Sequence, residues 1–303
     1  MKEWIKNVLF KMLPVFFPKY NNAGDNSVGV CTLLCHKHVT MFIWSTTAFF
    51  YFLGKSLPIY IVDDGSLTTK DIVKLRKYFK VFIDKQKIHQ AKIERAVKKY
   101  KYIKKFRFDE KVLMYKKKLD VFILCPFKKF IFLDADVLFI KKPKILIDWL
   151  KIDKGFNWYT AHHPYESKMY GYFDSIGLWS FRRLLYKTLK NSLSPYFNSG
   201  ILAVADSKSI SLRSMNRVLN LLDEVEYFNH FRVEEAITVY AYNQEKCRLL
   251  PTLEYVNVSG DEEYRANVSP NSVSVHYSGE IKNFRYKTDA LKLALRTRLF
   301  RLR

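Results

Sequence analysis

The sequence predicts an α/β fold: a mostly parallel sheet flanked by helices. Three observations carry that expectation. Continuous apolar runs of β-branched and aromatic residues stand where a strand is covered on both faces. Over the first 83 residues these runs alternate with helix-length segments, the pattern of a parallel sheet. Acidic residues collect where the runs end, and ligands of open α/β sheets bind beyond the carboxyl ends of strands.

Residues 1–20 set Trp4, Ile5, Leu9, Phe10 and Leu13 against Lys2, Lys6 and Lys11. That pattern fits a membrane-surface anchor and a docked terminal helix equally well. Residues 21–27 are a polar loop. A first strand follows over Val28–Leu34, then a buried helix over Val39–Leu53, punctuated by Gly54 and Pro58. That helix is the most apolar stretch of the chain, yet it falls short of the roughly 20 residues that span a bilayer. Pro58–Val62 is a second strand ending in Asp63-Asp64-Gly65-Ser66. Thr68 with Asp71 three residues on is a helix cap opening 68–79, and Val81–Ile83 is a third strand.

Residues 85–118 read as two basic helices with a solvated face, none of whose lysines is singled out. In the stretch Lys128–Ile140 the first apolar run is the central, buried strand, and residues i and i+2 of an extended chain share a face. The strand ends in Asp134-Ala135-Asp136, two hard oxygen donors one residue apart, which together point to a divalent cation. A short helix over Pro143–Leu150 is followed by an irregular aromatic stretch, 151–195, read as substrate-facing. Phe197-Asn198-Ser199-Gly200 enters a strand reaching Val204, where Gly200 lets the backbone approach a ligand closely. Ser207–Asp223 is helical, and Glu234-Glu235 opens another helix, where both acids suit the helix dipole. Val273–Val275 delivers His276, and a basic helix occupies 288–303. The expected organisation is an amphipathic segment 1–27, a catalytic domain 28–287 and a C-terminal helix 288–303.

Composition narrows the function. The 303 residues are 49% apolar, so the chain buries a full core. A net charge of +23 implies an anionic partner. Cys31, Cys35, Cys125 and Cys247 lack zinc spacing and are read as reduced thiols, which fits a reducing compartment. No signal peptide is visible, so the Asn257-Val-Ser and Asn267-Val-Ser sequons are read as chance matches.

Four marks in order resemble the metal-dependent GT-A glycosyltransferases, most closely glycosyltransferase family eight, the glycogenin and bacterial lipopolysaccharide galactosyltransferase group. They are Val62-Asp63-Asp64-Gly65-Ser66, Leu133-Asp134-Ala135-Asp136, Phe197-Asn198-Ser199-Gly200 and His276-Tyr277-Ser278-Gly279 with Lys282. The resemblance implies a GT-A (Rossmann-like) mixed, mostly parallel sheet, a UDP-sugar donor, and Mn²⁺ or Mg²⁺ held by Asp134, Asp136 and His276. Lys282 would meet the diphosphate, Asn198, Ser199 and Gly200 would line the sugar pocket, and Asp63 or Asp64 would lie near the nucleotide. Glu234 or Glu235 would fall where the family carries an acid beside the donor sugar. The Glu-Glu pair replaces the usual Gln or Asp, and the Asp-Asp-Gly-Ser turn is shared with inverting family-two enzymes.

The implied activity is transfer of a sugar to a glycan or lipid-linked acceptor in cell-surface polysaccharide or lipopolysaccharide synthesis, with retention favoured. The implied place is cytoplasmic, peripheral on the inner face of a membrane. A sugar-nucleotide-forming nucleotidyltransferase would need a glycine-rich basic loop, which residues 24–29 do not supply. The alternative from another class is a non-catalytic basic protein that binds membrane or nucleic acid. No nucleic-acid motif is visible, so a nucleic-acid partner is not expected.

Overall fold

The structure is a computed structural model that describes residues 2–22, 24, 26–108, 114–152, 155–161, 197–224 and 247–297. The expected opening elements are in place. Strand β1 is Val28–Leu34, helix α2 Val39–Leu53, strand β2 Ile59–Asp63, helix α3 Thr69–Tyr78 and strand β3 Val81–Ile83, after a first helix α1, Glu3–Met12. Thr68 and Asp71 close a reciprocal capping box at α3. Helices α4 (Gln86–Val97), α5 (Lys101–Phe108) and α6 (Lys118–Leu124) lead into β4, Lys129–Leu133. Then come β5 (Val137–Phe139), α7 (Lys144–Lys151), β6 (Asn157–Ala161), β7 (Phe197–Val204) and α8 (Leu212–Glu224). The last described elements are β8 (Cys247–Leu249), β9 (Tyr255–Val258), α9 (Asp261–Asn267), β10 (Ser274–Tyr277) and α10 (Arg285–Arg296).

Among the described residues the main sheet has seven strands in the order β3-β2-β1-β4-β7-β6-β8, and a second sheet has the order β5-β10-β9. Strands β3, β2, β1 and β4 run parallel. Strand β7 runs antiparallel to both β4 and β6. Alternate residues feed opposite faces, as the pleat requires. Ile59, Ile61, Ile131, Leu133, Ile201 and Ala203 join one apolar cluster, with α2 and α3. Tyr60, Val62, Phe130, Phe132, Leu202 and Val204 join the other, with α4, α5, α6 and α8. The sheet is covered on both sides, which is why its strands read as unbroken apolar runs.

Three expectations are revised. The stretch 151–195 reads as irregular in sequence, yet Asn157–Ala161 is a strand of the main sheet, paired with β7 and β8. Its residues 153–154 and 162–195 lie outside the described residues. The basic run 85–118 is not only a solvated face: Arg107, Lys116 and Lys118 are buried. Arg107 forks onto Asp120 with two bonds of 2.7 Å, and His89 Nε2 meets the same carboxylate at 2.8 Å. The C-terminal helix begins at Arg285 and is seated on the core through Tyr286, Ala290, Leu291, Leu293 and Ala294. It also holds α1, where Phe10 stacks on Trp44 and meets Tyr286 edge-on. No described helix is long and apolar enough to cross a membrane.

Candidate functional site

Strand direction assembles the site. Because β7 is antiparallel to β4, its first residues lie beside the last residues of β4: Ile201 pairs with Leu133, and Asp134 N–H donates to Gly200 C=O at 2.9 Å. Because β10 is antiparallel to β5, His276 pairs with Val137, and Tyr277 N–H donates to Asp136 C=O at 3.0 Å. Segments far apart in sequence thus converge on Asp134-Ala135-Asp136. That tripeptide lies just beyond β4, in the tight turn to β5, where Val137 N–H reaches Asp134 C=O at 3.3 Å. The turn, rather than the pleat of a strand, sets the two carboxylates together.

Asp134, Asp136 and His276 each offer one ligand atom, all within 4.8 Å of one another. His276 Nε2 is 3.2 Å from Asp136 and 3.9 Å from Asp134. Neighbouring ligands of an octahedral Mg²⁺ with bonds of about 2.1 Å stand about 3 Å apart, so the set fits a small divalent cation. The donor set, two carboxylates and an imidazole, fits Mn²⁺ equally. The imidazole is prepared for that role. Asn198 Oδ1 accepts from Gly200 N–H at 2.8 Å and lies 2.9 Å from His276 Nδ1. An amide oxygen only accepts, so Nδ1 is the nitrogen that donates to Asn198, and Nε2 is the nitrogen turned toward the carboxylates.

The backbone at Asn198–Gly200 is irregular, which lets one short segment do this. The β6–β7 register shifts between Tyr159 and Thr160, so that Thr160 pairs with Asn198. Such a bulge re-aims side chains. A methyl group on Gly200 would stand 2.4 Å from His276 Nδ1 and 2.9 Å from Asn198 Oδ1. Glycine is required here by that approach rather than by its backbone angle.

Two lysines complete the charge balance. Lys282 Nζ is 3.1 Å from Asp136 Oδ2. Burial alone would raise the Asp136 carboxyl, but His276 and Lys282 outweigh it and hold its pKa well below the usual carboxylate range. Lys118, at the start of α6, bridges Asp134 at 3.0 Å and Ser199 Oγ at 2.7 Å, with Phe132 beneath its ammonium. The sequence did not mark Lys118 out from its basic run. Its only signal is its position at the entry of the helix that feeds β4. His38, in the single turn His36–His38, lies within electrostatic reach of Asp134, Asp136, Asp64 and Lys282. Burial, then Lys282, pulls its imidazole below the ordinary range against those carboxylates.

Asp63 and Asp64 serve the turn after β2. Asp63 Oδ1 accepts from Gly65 N–H and Leu67 N–H, and Asp64 Oδ1 from the backbone and hydroxyl of Ser66. Lys117 Nζ donates to Asp64 C=O. A cavity of about 320 Å³ opens beside Asp63, lined also by Asp84, Gln86, His89, Arg107 and Lys117. Glu234 and Glu235 lie outside the described residues.

Residues 33–150 match the family model described as a putative mannosyltransferase. Mouse xyloside xylosyltransferase 1, in its apo form, aligns with a TM-score of 0.51 at 12% identity, covering 83% of this chain and 97% of that one. The fold is that of the GT-A glycosyltransferases. The bifunctional glycosyltransferase WbbM aligns at 0.54 and 12% identity, covering 91% of this chain and 53% of its own. GlyE of Streptococcus pneumoniae TIGR4 aligns at 0.53 and 12% identity, covering 88% and 60%. The chain thus spans little more than half the length of these last two. Comparison with curated proteins finds no match. The family match and the fold together support a glycosyltransferase.

Proposed function

We propose that the protein transfers a sugar from a nucleotide-diphosphate donor, in a metal-dependent reaction, to a glycan or lipid-linked acceptor of a cell-surface polysaccharide or lipopolysaccharide. The observation that carries this reading is the Asp134/Asp136/His276 cluster flanked by the Lys282 and Lys118 ammonium groups. A glycosyl donor departs as a diphosphate, and the charge that develops there needs fixed positive groups. A bound divalent cation supplies Lewis-acid charge to that diphosphate. Asp134, Asp136 and His276 hold it, and Asn198 keeps the imidazole in its ligating tautomer. Lys282 turns its ammonium from Asp136 to the phosphates, while Lys118 fixes Asp134 and Ser199 on the sugar side. Gly200 leaves room for His276, and Asn198 and Ser199 border the sugar. The nucleoside extends toward Asp63 and Asp64 and the cavity beside them. Glu234 or Glu235 supplies the acid beside the donor sugar, and retention of configuration is favoured, as in family eight.

UDP is the preferred nucleotide. The family match makes mannose, and with it a GDP-linked donor, the second to test. The two basic ends support a position on the inner face of a membrane, where anionic lipid would complement the net charge of +23. The test is release of the nucleoside diphosphate from a panel of UDP- and GDP-sugars, with Mn²⁺ or with chelator. One donor should turn over only with metal, and Asp136→Asn should abolish turnover. Failure of every donor, or turnover unaffected by chelator, would overturn the reading.

A further inference from the structure

Helix α1 carries apolar residues on two sides, and the fold uses only one of them. The inward side holds buried Phe10, stacked on Trp44, with Leu9 and Leu13 packed against the same cluster. It is tied down by Trp44 Nε1 donating to Phe10 C=O at 2.9 Å and by Lys287 Nζ bonding Asn7 at 2.7 Å. Pro14 and Phe17 continue that buried side, with Phe17 edge-on to Trp44. Val8 lies about 200° around the axis from Phe10, at about 100° per residue. Trp4, Val8 and Met12, spaced four residues apart, therefore form a second ridge on the opposite side. They are 64%, 44% and 62% exposed, and Val15 and Phe16 prolong the ridge at 62% and 52%. Of the five apolar residues the sequence grouped, Trp4 alone belongs to this outward ridge.

A firmly seated helix and following turn that expose tryptophan, methionine and phenylalanine along one segment are unlike scattered surface apolar residues. Its surroundings are basic. Lys2, Lys11 and Lys19 are exposed along the same segment. Lys74 stands close enough to Lys11 for the two charges to repel. The acid of the helix, Glu3, is paired to Lys6 at 3.3 Å. An apolar ridge rimmed by lysines is complementary to the headgroup boundary of an anionic bilayer, where tryptophan is also favoured. A second copy of the chain is a poor occupant, because it would bring another +23 against the same basic rim.

We propose that the outward ridge of α1 and the turn after it, Trp4, Val8, Met12, Val15 and Phe16, is the surface by which the protein lies on an anionic lipid bilayer. This rests on the membrane placement proposed above and assigns it to residues. The helix lies in the plane of the interface, while its inward face stays anchored to α2 and α10.

The test is sedimentation of the full chain with phosphatidylcholine vesicles carrying about one third phosphatidylserine, and with phosphatidylcholine alone. The wild-type protein should bind the anionic vesicles far better. The variant Trp4→Gln/Met12→Gln/Phe16→Gln should lose at least about tenfold in apparent affinity with an unchanged circular dichroism spectrum, since all three side chains are exposed. Lys11→Glu/Lys19→Glu should weaken binding as well, and added salt should weaken wild-type binding. Undiminished vesicle binding by the triple glutamine variant would overturn the ridge while leaving the membrane placement standing. No binding of wild-type protein to either vesicle would overturn both. A triple variant that dissolves an oligomer but binds vesicles normally would give the ridge to a second copy and overturn the proposal. Nucleotide-sugar turnover without vesicles should be the same in wild type and triple variant, so the catalytic reading is tested separately.

Discussion

Asn198 Oδ1 lies 2.9 Å from His276 Nδ1 and 2.8 Å from the Gly200 amide, and this one oxygen holds the imidazole by its Nδ1 with Nε2 toward Asp136. Partners that orient a ligating histidine are typically worth about tenfold to a hundredfold in metal affinity. Asn198→Ala should weaken Mn²⁺ binding by that factor, read by calorimetric titration. An unchanged affinity would mean that Asn198 does not orient the imidazole.

Gly200→Ala tests the same contact sterically. The added methyl would press on His276 Nδ1 at 2.4 Å, and neither β7 nor β10 has slack, since both are held in ladders. The variant should fold with a cost of about 1–3 kcal/mol, by analogy with overpacking, and lose more metal affinity than Asn198→Ala. Denaturant unfolding and the same titration separate the two effects.

Much of this site was legible in the sequence, and the reasons are local. Val28–Leu34 and Val39–Leu53 were bounded correctly because Ser27 and the Cys35–His38 segment flank the first run and Gly54 closes the second. The Thr68/Asp71 cap was legible because its spacing is fixed by the helix itself. Strand β6 was not, because Trp158 and Tyr159 read equally as aromatic loop residues until β7 and β8 enclose them. Strand direction was not legible either. Nothing in Phe197–Val204 states that it runs against β4, yet that reversal brings Asn198 and Gly200 to Asp134. Lys118 was hidden because its neighbours Lys116 and Lys117 are chemically identical, and only packing shows that Lys118 reaches Asp134 and Ser199.

Asp120 is fully buried and holds both Arg107 and His89. Removing one partner of a buried pair leaves an uncompensated charge, at about 3–5 kcal/mol. Asp120→Ala should therefore lower unfolding stability by that amount, whereas Lys92→Ala, at an exposed pair with Asp84, should change it by less than about 1 kcal/mol. Denaturant midpoints at constant slope compare them.

Asp71 offers a pH test away from the metal cluster. Burial alone would raise its carboxyl, but bonds from Thr68 and from His36 outweigh it and lower the pKa. A carboxyl lowered by folding contributes stability that is present above its unfolded value, near about 4, and is lost as pH falls through the folded value. Asp71→Ala should cost about 1 kcal/mol at neutral pH, as loss of a cap does, and the difference from wild type should shrink in acid. A difference that grows in acid would contradict the assignment.

Asp134, Asp136 and His276 are proposed to hold a divalent cation that would engage a nucleotide-sugar diphosphate. Thermal unfolding of the full chain with a panel of UDP- and GDP-sugars, with and without Mn²⁺, tests it most directly. Ligand at a hundred times its dissociation constant stabilises by about 2.7 kcal/mol. One donor together with Mn²⁺ should raise the midpoint beyond the sum of either alone, and Asp136→Asn should abolish the joint shift. A donor shift of equal size without metal, or an Asp136→Asn protein that responds like wild type, would contradict it.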